Sequence, residues 1–144
     1  MTTTETTLVT VSRRFAVSPE RVFDAWLDPD KTRNWLFATE GGVMERIEID
    51  PRVGGGFRFD ERRGDELAEH FGTYVEIDRP RRLVFDFGTS FEETPTRVTV
   101  TIVPDGDGSL LTLLHEGVWP DWAEKTQRGW TMIVDRLAKT VEGA

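Results

Sequence analysis

Hydrophobic and polar residues alternate with a period of two along most of the chain. The alternation covers residues 8–17 and returns in six segments between residues 43 and 115. Such alternation is typical of strands that bury one face. Gly, Pro and Asp residues separate the six segments by short links, which favour turns between antiparallel neighbours. The pattern therefore predicts one N-terminal strand followed by six strands in an antiparallel meander.

Two short helices are predicted between the first strand and the meander. Ser18 is a favourable N-cap, and Pro19 suits the first helical position. Apolar residues then follow at helical spacing, namely Val22, Phe23, Trp26 and Leu27. The pair Asp28-Pro29 ends this helix. A second helix over residues 30–36 would carry Trp35 inward.

The C-terminal segment changes to helical periodicity. Its apolar or small residues recur at steps of three and four, at Trp122, Thr126, Gly129, Trp130, Ile133, Leu137 and Val141. This stripe predicts one long amphipathic helix. No repeat or linker divides the chain, so we expect a single domain over residues 1–144 with its core at about residues 8–142. The fold class predicted is α+β, a sheet packed against helices.

Three consecutive glycines precede the second strand of the meander, at positions 54–56. The run resembles a phosphate-binding loop only superficially, because it lacks the lysine and leads into a strand. Glycine tolerates positive φ and often marks a bulge. We therefore expect Gly55 or Gly56 to adopt positive φ or to lie at a bulge that bends the sheet.

Composition and charge exclude several classes of function. The 144-residue chain has a formal net charge of -8 and a pI of about 4.8, which disfavours binding to nucleic acids and to anionic membranes. It has no cysteine, so thiolate chemistry and zinc–thiolate sites are excluded. Its first residues lack the pattern of a signal peptide, and no stretch is apolar enough to span a membrane. A cytoplasmic protein is expected.

Three motifs together resemble a known superfamily. They are "SPERVFDAWLDP", "DPRVGGGFRFD" and "LLHEG…GW…VDRLAK", in this order over about residues 8–142. The chain resembles the START-like (SRPBCC) superfamily, in the branch related to the C-terminal domain of the activator of the heat-shock-protein-90 ATPase. The resemblance implies the helix-grip fold, in which a seven-stranded antiparallel sheet curves around a long C-terminal helix and leaves an apolar cavity. Members include ligand carriers, aromatic polyketide cyclases, co-chaperones and many small bacterial proteins.

Aromatic residues form the main candidate site. Phe57, Phe59, Phe85 and Phe87 alternate on two strands and would face the helix stripe that carries Trp130. Nine residues make up the predicted ligand-binding cavity: Trp35, Phe37, Phe57, Phe59, Phe85, Phe87, His115, Trp119 and Trp130. Ligand pockets are typically apolar with few polar groups. For any single ring plain core packing is the favoured explanation, because aromatic side chains dominate cores. The set as a whole favours a cavity.

His115 is the polar candidate within this set. It is in phase with Leu111 and Leu113 and shares their inward face, whereas Glu116 faces the other way. Burial without a charged partner would keep its ring neutral. It is either a hydrogen-bonding group for a ligand or a satisfied core histidine. His70 is on another strand and "HEGVW" is not a metal-binding pattern, so neither a metal nor a cofactor is expected.

The leading hypothesis is a binding protein for a small apolar molecule, either aromatic or lipid-like. An enzyme of the cyclase, aromatase or hydrolase type is the first alternative, and it is less favoured because a lone histidine has no carboxylate in phase. Arg58 or Glu45 could reach inward if a bulge shifts the register. A co-chaperone-like interaction domain rests on the resemblance alone. A homodimer is also compatible with the sequence.

Overall fold

The computed structural model describes residues 6–36, 41–89 and 96–142. Seven strands and three helices follow one another in the predicted order. They are β1 (Thr7–Phe15), α1 (Pro19–Ala25), α2 (Pro29–Thr32), β2 (Val43–Ile49), β3 (Gly56–Arg63), β4 (Glu66–Asp78), β5 (Arg82–Thr89), β6 (Thr96–Asp105), β7 (Gly108–Val118) and α3 (Pro120–Glu142). The predicted α+β fold is confirmed.

All seven strands belong to one antiparallel sheet, in the order β1-β7-β6-β5-β4-β3-β2. The meander from β2 to β7 follows the chain, and β1 joins it by pairing with β7. The pairing register shifts at three places, between Thr7 and Val9, between Met44 and Arg46, and between Tyr74 and Glu76. Such irregularities bend strands and increase twist, which lets the sheet curve around α3.

The two short helices begin as predicted. The Ser18 hydroxyl accepts a hydrogen bond from the Arg21 backbone N–H at 3.4 Å, and Pro19 is the first residue of α1. Asp28 caps α2 in the same way, through the Asp30 N–H at 2.9 Å. However, α2 ends at Thr32, so Trp35 is buried from the turn beyond the helix.

The helix α3 packs on the core mainly through its second half. Its fully buried residues are Trp130, Val134, Leu137, Ala138 and Val141. In contrast, the Trp122 side chain is 56% exposed, and Lys125 lies over its ring at 5.2 Å. The predicted stripe is therefore wrong at Trp122, because an apolar helix face is buried only where another element covers it. No helix in the described parts of the chain is long and apolar enough to cross a membrane.

The glycine run bends the chain differently from the prediction. Gly54 has the positive φ, +86°, whereas Gly55 and Gly56 do not. A Cβ on Gly55 would lie 2.4 Å from the backbone oxygen of Asp50, and one on Gly56 would lie 2.9 Å from the backbone oxygen of Gly72. The first glycine therefore makes the turn, and the next two allow close backbone approach.

Candidate ligand-binding site

The inward face of the sheet is built by strand pairing. Phe57 and Phe59 alternate on β3, and Phe59 is directly opposite His70 on β4. Gly72 lies between Phe57 and Phe87 in neighbouring strands. A Cβ on Gly72 would stand 2.5 Å from carbons of the Phe57 ring, so this glycine gives that ring its space. Residues directly opposite in a sheet share one face, and the aromatic face is therefore continuous across β3, β4 and β5.

Two groups of side chains divide this face. The indole cluster consists of Trp26, Trp35, Phe57, Phe59, Tyr74 and Phe85. The histidine cluster consists of His70, Phe87, Thr96, His115 and Trp130. Every side chain in the indole cluster is at most 7% exposed. The predicted burial of Trp35, Phe57, Phe59, Phe85, Phe87, His115 and Trp130 is thus confirmed.

The indole cluster surrounds a narrow crevice. Trp26 and Trp35 meet edge to face with ring centroids 4.7 Å apart, and Trp26 contacts Phe85 at 6.3 Å. The crevice has a volume of about 10 Å³ and is lined by Trp26, Leu36, Phe57, Tyr74, Leu83 and Phe85. A space of about 10–15 Å³ holds one water molecule. The interior is therefore nearly filled at this end, and the described residues do not enclose the larger cavity that was expected.

Both indole N–H groups in this cluster lack an acceptor among the described residues. Trp26 is 2% exposed and Trp35 is fully buried. Neither Nε1 has a hydrogen-bond partner in the described part of the chain. Buried polar groups are paired in the large majority of cases, because an unpaired donor has lost its hydration without compensation. Trp26 was not among the predicted site residues, although its helical spacing with Phe23 marked it as inward.

Hydrogen bonds fully occupy the ring of His115. The indole Nε1–H of Trp130 donates to Nδ1 at 3.0 Å, and Nε2 lies 2.5 Å from the Thr96 hydroxyl oxygen. The Thr96 hydroxyl in turn donates to the Phe87 carbonyl at 3.3 Å. Because the indole is only a donor, Nδ1 must be the accepting nitrogen and Nε2 carries the proton. The sequence left two roles open for His115, and this arrangement favours the satisfied core histidine.

Burial lowers the pKa of His115 to about 4. The ring is therefore neutral at pH 7, as predicted from its burial without a charged partner. A neutral ring is also what the hydrogen bonds require, since a protonated Nδ1 could not accept from Trp130. The ring has no nitrogen left for a ligand while this network is intact.

A buried carboxylate and a second histidine share the inward face. Glu61 is in phase with Phe57 and Phe59 along an unbroken pairing of β3 with β4, and its side chain is 1% exposed. It pairs with Arg63 at 2.5 Å. His70 is diagonal to Glu61 across this pair of strands. The expectation that His115 is the lone inward titratable group is therefore wrong, because His70 and Glu61 are buried as well.

The two residues suggested as inward after a register shift point elsewhere. Arg58 pairs with Asp60 at 3.1 Å and with Glu69 at 2.9 Å, on the opposite side of β3 from the phenylalanines. Glu45 pairs with Arg62 and is exposed. The alternation that identified Phe57 and Phe59 would have identified Glu61 had it been continued by one more step.

Burial also lowers the pKa of His70 to about 4. The contact between Nδ1 of His70 and the Phe59 carbonyl, at 3.3 Å, raises this pKa and partly offsets the effect of burial. The nearby Arg63 lowers the pKa further, while Glu61 raises it. The ring stacks on Phe87 with centroids 6.2 Å apart. It is neutral at pH 7 and is placed beside charged groups, unlike His115.

One predicted site residue is not part of the buried face, and another lies outside the described residues. Trp119 is 53% exposed at the corner between β7 and α3, so it does not close the end of a cavity. Phe37 lies outside the described residues. Within the described ranges, no group of three or more His, Asp or Glu side chains is arranged to hold a metal ion.

Comparisons with known proteins agree with this architecture. The profile of the family described as Activator of Hsp90 ATPase homolog 1-like protein matches residues 16–142. The chain belongs to this family. No curated protein matches it significantly.

Solved structures share the fold over nearly the full chain. A protein from Chromobacterium violaceum is 28% identical with a TM-score of 0.85, covering 94% of this chain and 97% of its own. An AHSA1-like protein from Aeromonas hydrophila is 22% identical with a TM-score of 0.81, covering 95% and 93%. CalU16 from Micromonospora echinospora is 22% identical with a TM-score of 0.72, covering 97% and 87%. Family membership and the helix-grip fold are thus shown.

Proposed function

We propose that this protein binds a small apolar molecule on the aromatic inward face of its sheet. The observation that carries the proposal is the crevice in the indole cluster, whose lining is aromatic or aliphatic throughout. Apolar walls with few polar groups are typical of ligand sites. The family fold supports the proposal, since an AHSA1-like fold commonly binds hydrophobic ligands.

A ligand larger than water must widen the crevice. Four of its walls, Phe57, Tyr74, Leu83 and Phe85, belong to the central part of the sheet. In contrast, Leu36 belongs to the turn after α2, and the helix α2 itself is only four residues long. Short segments outside regular structure open at lower free-energy cost than sheet cores. We propose that the ligand enters by displacing Leu36 while the sheet walls stay in place.

The space around Gly129 gives a second route for rearrangement. A Cβ on this residue would have no atom within 4 Å, although the next residue, Trp130, is buried. This open space would leave room for a ligand beside the helix. The helix backbone can shift at this point without a side-chain clash.

Calorimetry with a panel of small aromatics, flavonoids and fatty acids tests the proposal. We expect at least one member to bind wild type below about millimolar Kd, a range open to small ligands. Leu36→Phe should fill the crevice and weaken that binding. Leu8→Phe is the matched control, because Leu8 is 53% exposed on β1. If no panel member binds wild type, or if both variants bind like wild type, the proposal is wrong.

An acid–base enzyme is the second candidate, favoured specifically by Glu61 and His70. A buried carboxylate diagonal to a neutral histidine can orient that ring and accept a proton from it. Hydrolysis of p-nitrophenyl butyrate provides a simple test. An enzyme would lose about a hundredfold or more of its rate in both His70→Ala and Glu61→Gln. If instead both variants keep the wild-type rate, any hydrolysis seen does not come from this pair.

A further inference from the structure

We infer that the ligand is a neutral molecule whose apolar body carries an oxygen acceptor, and that the indole N–H of Trp26, which lines the crevice, donates to this oxygen. The inference rests on the proposed function and names the class of compound that the same site would select. Ketones, lactones, esters and quinones of modest size belong to this class. Hydrocarbons and carboxylates do not.

The first argument is the pair of unsatisfied donors. Two tryptophans in contact, with ring centroids 4.7 Å apart, each bury an N–H that has no acceptor within the described residues. The indole N–H can only donate, so whatever satisfies it must supply a lone pair. The same protein pairs the third buried indole, that of Trp130, with His115 at 3.0 Å. An acceptor from outside the chain would complete the indole cluster in the same way.

The second argument is the size of the crevice. The crevice is lined in part by Trp26 and has a volume of about 10 Å³. It therefore admits one oxygen atom but no ring. A carbonyl oxygen can occupy this space while the rest of the ligand replaces Leu36 against Phe57 and Phe85. These two rings meet edge to face with centroids 5.3 Å apart, and both are apolar walls of the crevice.

The crevice is lined by uncharged side chains, which gives a third reason for a neutral ligand. The side chains lining the crevice are Trp26, Leu36, Phe57, Tyr74, Leu83 and Phe85, and none of them is charged at pH 7. A carboxylate would lose its hydration here without a cation to replace it, whereas a neutral carbonyl loses much less. The site therefore selects against fatty acids and for neutral compounds with an oxygen acceptor.

A single buried water is the competing occupant. Buried waters usually make about three hydrogen bonds to polar groups. Among the lining residues only the Trp26 indole and the Tyr74 hydroxyl carry polar side-chain atoms. A ligand oxygen needs fewer partners than a water, because its remaining contacts are apolar.

A matched pair of probes tests the inference, namely 1-indanone and indane, which share a bicyclic frame and differ at the carbonyl. In wild type we expect 1-indanone to bind about fivefold more tightly than indane, as one buried hydrogen bond would give. The indole N–H resonances of Trp26 and Trp35 should move when 1-indanone is added. Trp26→Phe should remove the preference, whereas Trp122→Phe, at an exposed position, should keep it.

The outcomes separate this inference from the proposed function. If both probes bind equally and the two indole resonances stay unchanged, ligand binding stands and the acceptor preference is wrong. The acceptor preference is also wrong, and ligand binding stands, if the two N–H groups show contacts to water that persist with 1-indanone bound. If neither probe nor any panel compound binds, both proposals fail. The resonance shift is read in wild type, so it decides the matter even if a variant fails to fold.

Discussion

The indole cluster and the histidine cluster bury similar aromatic groups on one sheet face, yet they treat their polar atoms in opposite ways. In the histidine cluster, Trp130, His115 and Thr96 form a chain of hydrogen bonds that ends on the Phe87 carbonyl. In the indole cluster, Trp26 and Trp35 bury their N–H groups without acceptors in the described residues. The first arrangement is complete and the second is not.

This contrast is the basis for the proposed roles of the two clusters, one in stability and one in ligand binding. A satisfied polar network fixes one core packing and loses free energy when any member is removed. An unpaired donor lowers stability in the absence of a partner, and sites with such a cost are often functional. We therefore assign His115 to the scaffold and place the proposed ligand site in the indole cluster.

Truncation after Pro120 has the largest expected effect. It removes Trp130 together with every other buried residue of α3, while the sheet part of the indole cluster stays. We expect no cooperative unfolding transition, because the concave face loses its main apolar partner. Urea denaturation followed by circular dichroism measures this. A truncated chain that still unfolds in a sharp transition would show that α3 is dispensable.

Replacement of His115 should be the most damaging point change. His115→Ala leaves the Trp130 N–H and the Thr96 hydroxyl without their partner and opens a cavity, for a loss of about 3–4 kcal/mol in the free energy of unfolding. A double-mutant cycle with Trp130→Phe should show a coupling of about 1–2 kcal/mol. Additive losses in the cycle would mean that the 3.0 Å contact contributes nothing specific.

Acidification should destabilise the fold through its histidines. The pKa of His115 is lowered to about 4 in the folded protein, against about 6.5 for an ordinary histidine. Below pH 6.5 the unfolded chain binds a proton that the folded chain does not. The contribution of His115 to stability is therefore fully present above pH 6.5. It is lost as the pH falls towards 4, which lowers the free energy of unfolding by up to about 3 kcal/mol.

The His115→Gln variant isolates this contribution. Unfolding free energies measured between pH 7 and pH 4 should depend less steeply on pH in the variant than in wild type. His70→Gln should behave alike, because burial lowers the pKa of His70 to about 4 as well. Equal slopes in wild type and His115→Gln would mean that His115 titrates normally in the folded protein.

The smallest expected change in the free energy of unfolding comes from removing a single indole N–H in either cluster. Replacing one indole with benzothiophene, through an unnatural amino acid, exchanges the N–H for sulfur at nearly constant shape. At Trp130 this should cost about 1–2 kcal/mol, because the His115 acceptor loses its donor. The same replacement at Trp26 or Trp35 should leave the free energy of unfolding unchanged or raise it in the absence of ligand. Equal losses at all three positions would erase the distinction between the clusters.

The sequence predicts the fold well because periodicity and end signals are local. Alternation identified the strands, and Ser18-Pro19 located the start of α1 within a residue. The same reasoning failed at Trp122, since a stripe shows which side of a helix could be buried but not how far the sheet extends beneath it. It placed the bulge or positive φ at Gly55 or Gly56, whereas the residue with positive φ is Gly54.

The site is less predictable because its chemistry depends on distant residues. His115 meets Thr96 and Trp130 only through the tertiary fold, so its role could not be decided from its phase alone. Glu61 was overlooked because a charged residue is usually exposed, although its phase was inward. That Trp26 finds no acceptor among the described residues depends on tertiary packing and leaves no pattern in the sequence.

A crystal structure with 5-bromo-1-indanone bound tests the central claim most directly, because bromine can be located by its anomalous scattering. The account predicts a bromine peak beside Phe57 and Phe85, with the ketone oxygen about 3 Å from Nε1 of Trp26 and the bonds between His115, Thr96 and Trp130 unchanged. A peak found only on the surface at Trp119 or Trp122, or a ketone bound to His115 with that network broken, would contradict it.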